Sequence, residues 1–241
     1  LGIGVSSPFI IEEWHDLRFE PALRRQRESI EVIRQVLRGE VVEYHGQVFD
    51  IQGRRLRFNP PRSDIPIYVA AQGETNSELV GGFADGWMPN RIPVSSLPDA
   101  RAHVDRGAKK HDRDPERVEN VPFVTTCVLD DDSKARQRCR EAIAFYLGAM
   151  GEFHYQAVSR YGYEDVARRI RTRWKDGDHE RARAFVTDGL LDDITISGNP
   201  ARVQGLLDNY EGFASTLVMV PPGTVTPAEI RETFSHLGNL M

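Results

Sequence analysis

Residues 66–90, PIYVAAQGETNSELVGGFADGWMPN, decide the fold. Residues 65–71 form a short apolar run rich in β-branched and aromatic side chains, the composition of a strand buried on both faces. Gln72-Gly73 ends that strand. Glu74, Thr75, Asn76 and Ser77 then supply the acidic, amide and hydroxyl side chains that favour a helix's first turn. Leu79, Val80, Phe83 and Ala84 follow at helical spacing, Asp85-Gly86 breaks the helix, and Trp87 to Asn90 starts a second strand. A strand that passes through glycine into a helix N-terminus leaves backbone N–H groups unpaired at the positive end of the helix dipole. That is an anion site by construction, and also an ordinary turn of any α/β protein.

The rest of the chain agrees with one α/β domain. It has 241 residues, a formal net charge of −5 and two cysteines, with a pI near 5.8. Acids are interleaved with the arginines of pairs such as Arg24-Arg25 and Arg168-Arg169, which reads as solvated helix faces and excludes a basic nucleic-acid surface. Cys127 and Cys139 have no metal-type spacing and suggest a reduced, cytoplasmic protein. There is no bilayer-length apolar run. No G-x-S-x-G elbow, phosphate-loop motif or His-Glu-x-x-His is present, so neither a protein nucleophile nor a metal is expected.

Outward from the central stretch, residues 1–5 read as the end of a first strand, followed by Ser6-Ser7-Pro8. Residues 9–15 form a loop or helical turn carrying Trp14 and His15. The stripe Ile30, Ile33, Val36, Leu37 marks a long helix ending at Gly39, with Arg24–Glu28 and Arg27–Glu31 as i,i+4 pairs. Two alternating stretches around Gly46 give a hairpin insert at about 41–58, with His45 on its surface. Residues 93–98 read as a loop, 97–110 as a helix, and 121–129 (VPFVTTCVL) as a strand. A helical insert covers about 133–193, broken near Gly151, Gly162 and Gly177, with Phe145, Tyr146, Phe153 and Tyr155 as packing residues. Residues 194–200 lead into a helix, 216–220 form a last strand, and Thr226-Pro227 starts the final helix.

The segment IPIYVAAQG…NSELVGGFADGWMPN, together with the opening LGIGVSSPFIIEEWHDLRFEPALRRQRESIEVIRQVLRGE, resembles the luciferase-like monooxygenase superfamily, and within it the branch that uses coenzyme F420, a deazaflavin. The likeness runs in order through Pro222-Gly223. It implies a single domain over 1–241 with the TIM (β/α)8 barrel fold, whose chemistry lies at the strands' C-terminal ends. Five strands are recognisable and the chain opens inside a strand without an initiator Met. The expectation is therefore a partial barrel lacking roughly its first three βα units.

The resemblance also implies an oxidoreductase passing hydride between coenzyme F420 and a small organic substrate. The cofactor supplies that chemistry; the protein binds, orients and excludes water. The expected cofactor contacts are Ser6 and Ser7 at the first strand's end, Ala70, Ala71, Gln72, Gly73 and Asn76 around the phosphate loop, and Gly86, Asn90 and Arg91 as the far wall, with Arg91 contributing positive charge. No catalytic acid or base is assigned. An FMN-dependent monooxygenase of the same fold, and a cofactor-free remnant serving as a binding or assembly module, are the alternatives. No nucleic-acid or membrane partner is expected, and a homo-oligomer is expected for a full-length protein.

Overall fold

Parallel pairing organises both halves of the molecule, as the apolar strand runs require. The computed structural model describes residues 1–240. Where one domain is expected, the chain divides into two compact units, Leu1–Met88 with Ala100–Asn120, and Pro89–Asp99 with Val121 onward.

The first unit contains β1 (Gly2–Ile3), a helical turn at Phe9–Trp14, α1 (Ala22–Leu37), β2 (Val42–His45), β3 (Asp50–Arg54), β4 (Tyr68–Ala70), α2 (Glu74–Phe83), β5 (Gly86–Met88), most of α3 (Leu97–Lys110) and β6 (Glu119–Asn120). Its sheet runs β1-β4-β5-β6, all parallel. Two glycines let α2 and α3 touch backbone to backbone. A Cβ on Gly81 would strike the Val104 carbonyl, and one on Gly107 would strike the Glu78 backbone. The Asp85 carboxylate closes the α2–β5 turn, accepting from Arg34 at 2.9 Å and from the Ile67 N–H at 2.8 Å.

β2 and β3 make the expected antiparallel hairpin, with an irregularity between Val42 and Tyr44. The second strand starts later than the alternation predicts, at Asp50. Arg27–Glu31 pair as expected at 2.9 Å. Arg24–Glu28 do not, because the Glu28 carboxylate turns inward and accepts backbone N–H groups from Gln47, Val48 and Phe49, each at 2.9 Å.

The second unit contains β7 (Phe123–Val128), α4 (Asp132–Ala149), α5 (Phe153–Val158), α6 (Glu164–Lys175), α7 (His179–Ala184), α8 (Asp188–Ile194), β8 (Thr195–Gly198), α9 (Pro200–Asp208), β9 (Val218–Val220) and α10 (Pro227–Leu240). Its parallel sheet runs β8-β7-β9. Cys127, Cys139, Ile143, Leu147, Ile170, Leu190 and Leu191 are buried together in its core, and both cysteines are free thiols. The helix breaks fall at Gly151, Gly162 and Gly177, each with positive φ. Thr226 and Glu229 cap α10 reciprocally: the Glu229 N–H donates to Thr226 Oγ1 at 3.2 Å and the Thr226 N–H to Glu229 Oε2 at 2.6 Å.

Two features depart from expectation. Thr195–Gly198, expected only as the lead-in to the helix that Asn199-Pro200 does start, is itself a completely buried strand, and Val94–Ser96 is a 3-10 turn rather than open loop. The pairing fixes the α/β class and the parallel strand order. It does not by itself close a barrel among the described residues, and the expected lack of three βα units gains no support from it.

Candidate active site

In the first unit, adjacent parallel strands present their C-terminal ends together. Ile3 pairs with Val69, and a Cβ on Gly4 would touch that of Ala70 at 3.3 Å. Ser6 and Ser7 therefore leave β1 beside the Ala70–Gly73 loop leaving β4. Ser6 is exposed and holds a left-handed φ of 62°. Ser7 caps the next turn, its Oγ accepting from the Ile10 N–H at 3.4 Å.

The loop is braced from beneath. Trp87, fully buried, donates its indole N–H to the Ala71 carbonyl at 3.0 Å. Asn76 donates to the Ala70 carbonyl at 3.3 Å and accepts from Gln26 Nε2 at 2.6 Å. Asn76 is thus a positioning residue that ties β4, α1 and α2 together. Above the brace the loop is open. Gly73 is the N-cap of α2 and no side chain caps that end. A Cβ on Gly73 would meet nothing within 4 Å, and its φ of −92° suits any residue. The ten-residue helix thus begins without a side-chain cap and with open space beside its N-cap, the setting in which its first N–H groups can receive an anion. Glu74, in the first turn, is exposed.

Gly86 does not join this edge. It pairs with Tyr68 at the start of β5, and a Cβ there would run into the Tyr68 ring at 2.5–2.8 Å. Its smallness serves packing.

Asn90 and Arg91 belong to the second unit, where Asn90 pairs in parallel with Phe123. Arg91, expected to contribute positive charge to the far wall of the cofactor site, is 6% exposed, with a left-handed φ of 55°. Its guanidinium lies 3.5 Å from the centre of the Tyr146 ring, and Nη1 donates to Asn90 Oδ1 at 2.9 Å. Nε is buried without a hydrogen-bond partner. Burial pulls the guanidinium down to about 10, against the opposing effect of Tyr146. His154 packs edge-on to Tyr146 at 5.1 Å; burial, then the Arg91 charge, lowers it to about 3, so it is neutral at ordinary pH. Tyr146, read from sequence as mere packing, is the residue that holds Arg91.

A parallel α/β chain with an open strand-to-helix loop matches the family described as luciferase-like monooxygenase over residues 1–217. The chain belongs to that family. Among the relatives of this luciferase-like chain is a protein of Mycobacterium tuberculosis named as a coenzyme F420-dependent oxidoreductase, 28% identical over 93% of this chain and 70% of its own length. The 5,10-methylenetetrahydromethanopterin reductase of Archaeoglobus fulgidus is 30% identical over 83% of this chain and 60% of its own. The chain thus spans about two thirds of the length of these relatives. In three dimensions it resembles the coenzyme F420-dependent tetrahydromethanopterin reductase of Methanopyrus kandleri, with a TM-score of 0.82 at 20% identity, over 100% of this chain and 74% of that one. No described helix of this luciferase-like chain is long and apolar enough to cross a membrane.

Proposed function

We propose that the protein is a coenzyme F420-dependent oxidoreductase with a TIM-barrel architecture, acting on a small organic substrate. The carrying observation is the open, uncapped N-terminus of α2 at Gly73, set at the C-terminal edge of β1 and β4 in a chain among whose relatives are proteins with F420-dependent names. When bound, the deazaflavin supplies two-electron hydride chemistry. The chain's own residues bind and orient. The backbone of Ala70, Ala71, Gln72 and Gly73 and the first turn of α2 hold the cofactor's phosphate, Ser6 and Ser7 lie alongside, and Asn76 with Trp87 keeps the loop in register from below. Asn90 and Arg91, expected as the far wall of the cofactor site with Arg91 contributing positive charge, lie in the second unit, where the Tyr146 ring covers Arg91. Such a site fits a group that needs N–H donors and space rather than a nucleophile or a metal.

Titration of the protein with F420, followed by deazaflavin fluorescence, tests this reading. Saturable binding that FMN does not displace is the expected result. Tight FMN binding in place of F420 would move the protein to the monooxygenase reading, and binding of neither would leave a scaffold without a cofactor.

A further inference from the structure

We propose that Asp130, Glu232 and His236 form a zinc-binding site that ties the end of β7 to α10. The site lies wholly within the second unit and is independent of the cofactor reading.

Glu232 and His236 stand four residues apart on α10 and so share one face of it. Thr233, 1% exposed, clamps that helix to β7: its hydroxyl accepts from the Val128 N–H at 3.1 Å and donates to the Val128 carbonyl at 3.2 Å. The chain leaving β7 is thereby held against the helix, and two residues on it brings Asp130 to Glu232 and His236. The Asp130 N–H donates to Glu232 Oε1 at 2.8 Å, which fixes that carboxylate. His236 Nε2 lies 3.2 Å from Asp130 Oδ1 and 4.0 Å from Glu232 Oε1. All three ligand atoms fall within 4.8 Å of one another.

These separations suit a shared metal ion. Ligand atoms about 2.0–2.1 Å from a tetrahedral zinc are about 3.3–3.4 Å from each other. The orientation of His236 points the same way. Its Nε2 is buried and, among the described residues, has no hydrogen-bond partner, although Asp130 Oδ1 is within hydrogen-bond distance. Distance permits that bond, so direction is what fails. Nitrogen and oxygen miss each other in this way where both are aimed at a common third atom. Two carboxylates brought together also repel, and a divalent cation answers both charges. One imidazole nitrogen with two carboxylate oxygens is a set that zinc accepts, with water in its fourth position, whereas magnesium and calcium favour oxygen alone. The Asp130 side chain, 86% exposed, gives an ion its way in. Asp130 and Glu232 are 102 residues apart, so no local spacing announces the site.

The test uses the whole chain, treated with EDTA and dialysed free of it. Zinc chloride is titrated in, with magnesium chloride as the comparison, and followed by calorimetry and thermal melting. Cobalt chloride, which occupies zinc sites, reports the ligands by visible absorption. Saturable binding of one zinc per chain is expected, with a rise in melting temperature that magnesium does not reproduce. His236→Gln should abolish the cobalt spectrum and the stabilisation. Asp130→Asn, at an exposed position, should weaken zinc binding by at least about tenfold. His45→Gln is the control: the exposed His45–Asp50 pair has no third ligand among the described residues, so zinc affinity should not change. Should His236→Gln not fold, Asp130→Asn and the wild-type cobalt spectrum still decide. No saturable zinc binding would overturn the assignment. So would unchanged affinity in Asp130→Asn, a loss in His45→Gln equal to that in His236→Gln, or a magnesium response equal to that of zinc.

Discussion

Two strand ends in this molecule solve opposite problems. The Ala70–Gly73 loop after β4 is neutral and braced from below, and the helix it opens into has no side-chain cap. The Asn90–Arg91 turn after β5 is charged and closed, and its free donor is a side-chain N–H facing protein. A helix terminus offers partial charge at little cost, since its N–H groups are unpaired in any helix. A buried guanidinium offers a full charge at a cost that only a partner removes. The first end is left open, whereas the second is closed over its charge by the Tyr146 ring and the Asn90 amide.

The largest effect should come from attacking the scaffold beneath the open end. Gly81→Val drives side-chain atoms into the α3 backbone at Val104 and Ala108. A loss of about 3 kcal/mol or more is expected from overpacking against atoms that cannot yield. Denaturant melts would show it, and a loss under about 1 kcal/mol would mean the helices can separate.

Next comes the closed end under acid. The folded pKa of His154 lies near 3, below its ordinary 6.5, because of burial and then the Arg91 charge. The unfolded chain takes up a proton that the folded one refuses. Stability is thus full above about pH 6.5 and falls as pH drops, by up to about 1.4 kcal/mol per unit. His154→Asn should flatten this part of the stability–pH curve, as seen by melts between pH 7 and 5. An unchanged slope would place the acid sensitivity elsewhere.

Asn76→Ala removes both bonds of the brace and leaves the Gln26 amide buried without its partner. About 1–2 kcal/mol should be lost, together with F420 affinity, even though Asn76 itself need not touch the cofactor. The smallest stability effect belongs to Gly73→Val. With φ at −92° and nothing within 4 Å, it should change stability by less than about 0.5 kcal/mol. Cofactor binding should nonetheless weaken, because valine fills the space in front of the helix. A variant that binds F420 normally would remove the loop from the site.

The open end was legible in the sequence because it is built from local information. Strand run, glycine, helix-starting residues and helical spacing lie within one short stretch, and β4, α2 and β5 follow in that order. The closed end was not. Arg91 reads as a residue just past a strand end, and the ring that buries it comes from α4, inside a segment read only as a helical insert. β8 escaped for a different reason. Thr195 and Ser197 look polar, yet both are buried because the Thr195 hydroxyl donates to the Leu191 carbonyl at 2.7 Å and the two hydroxyls bond each other at 2.9 Å. Internal satisfaction of that kind leaves no hydrophobic signature. A glycine beside a ligand and a glycine beneath an aromatic ring, as Gly86 lies against Tyr68, look the same in sequence.

The inward-turned Glu28 changes what the β2–β3 hairpin is. Burial pushes its carboxyl up, but the three backbone N–H groups and Arg24 outweigh that and leave it lowered. The anchor is therefore present above the ordinary carboxylate range and is released only as pH falls through a value below it. A Cβ on Gly46 would collide with this same carboxylate, so the turn is moulded around it. An insert tethered at its tip as well as at its base exchanges its amide hydrogens at the pace of the helix it is tied to. Gln47, Val48 and Phe49, at the far end of a surface ribbon, belong in kinetic terms to α1.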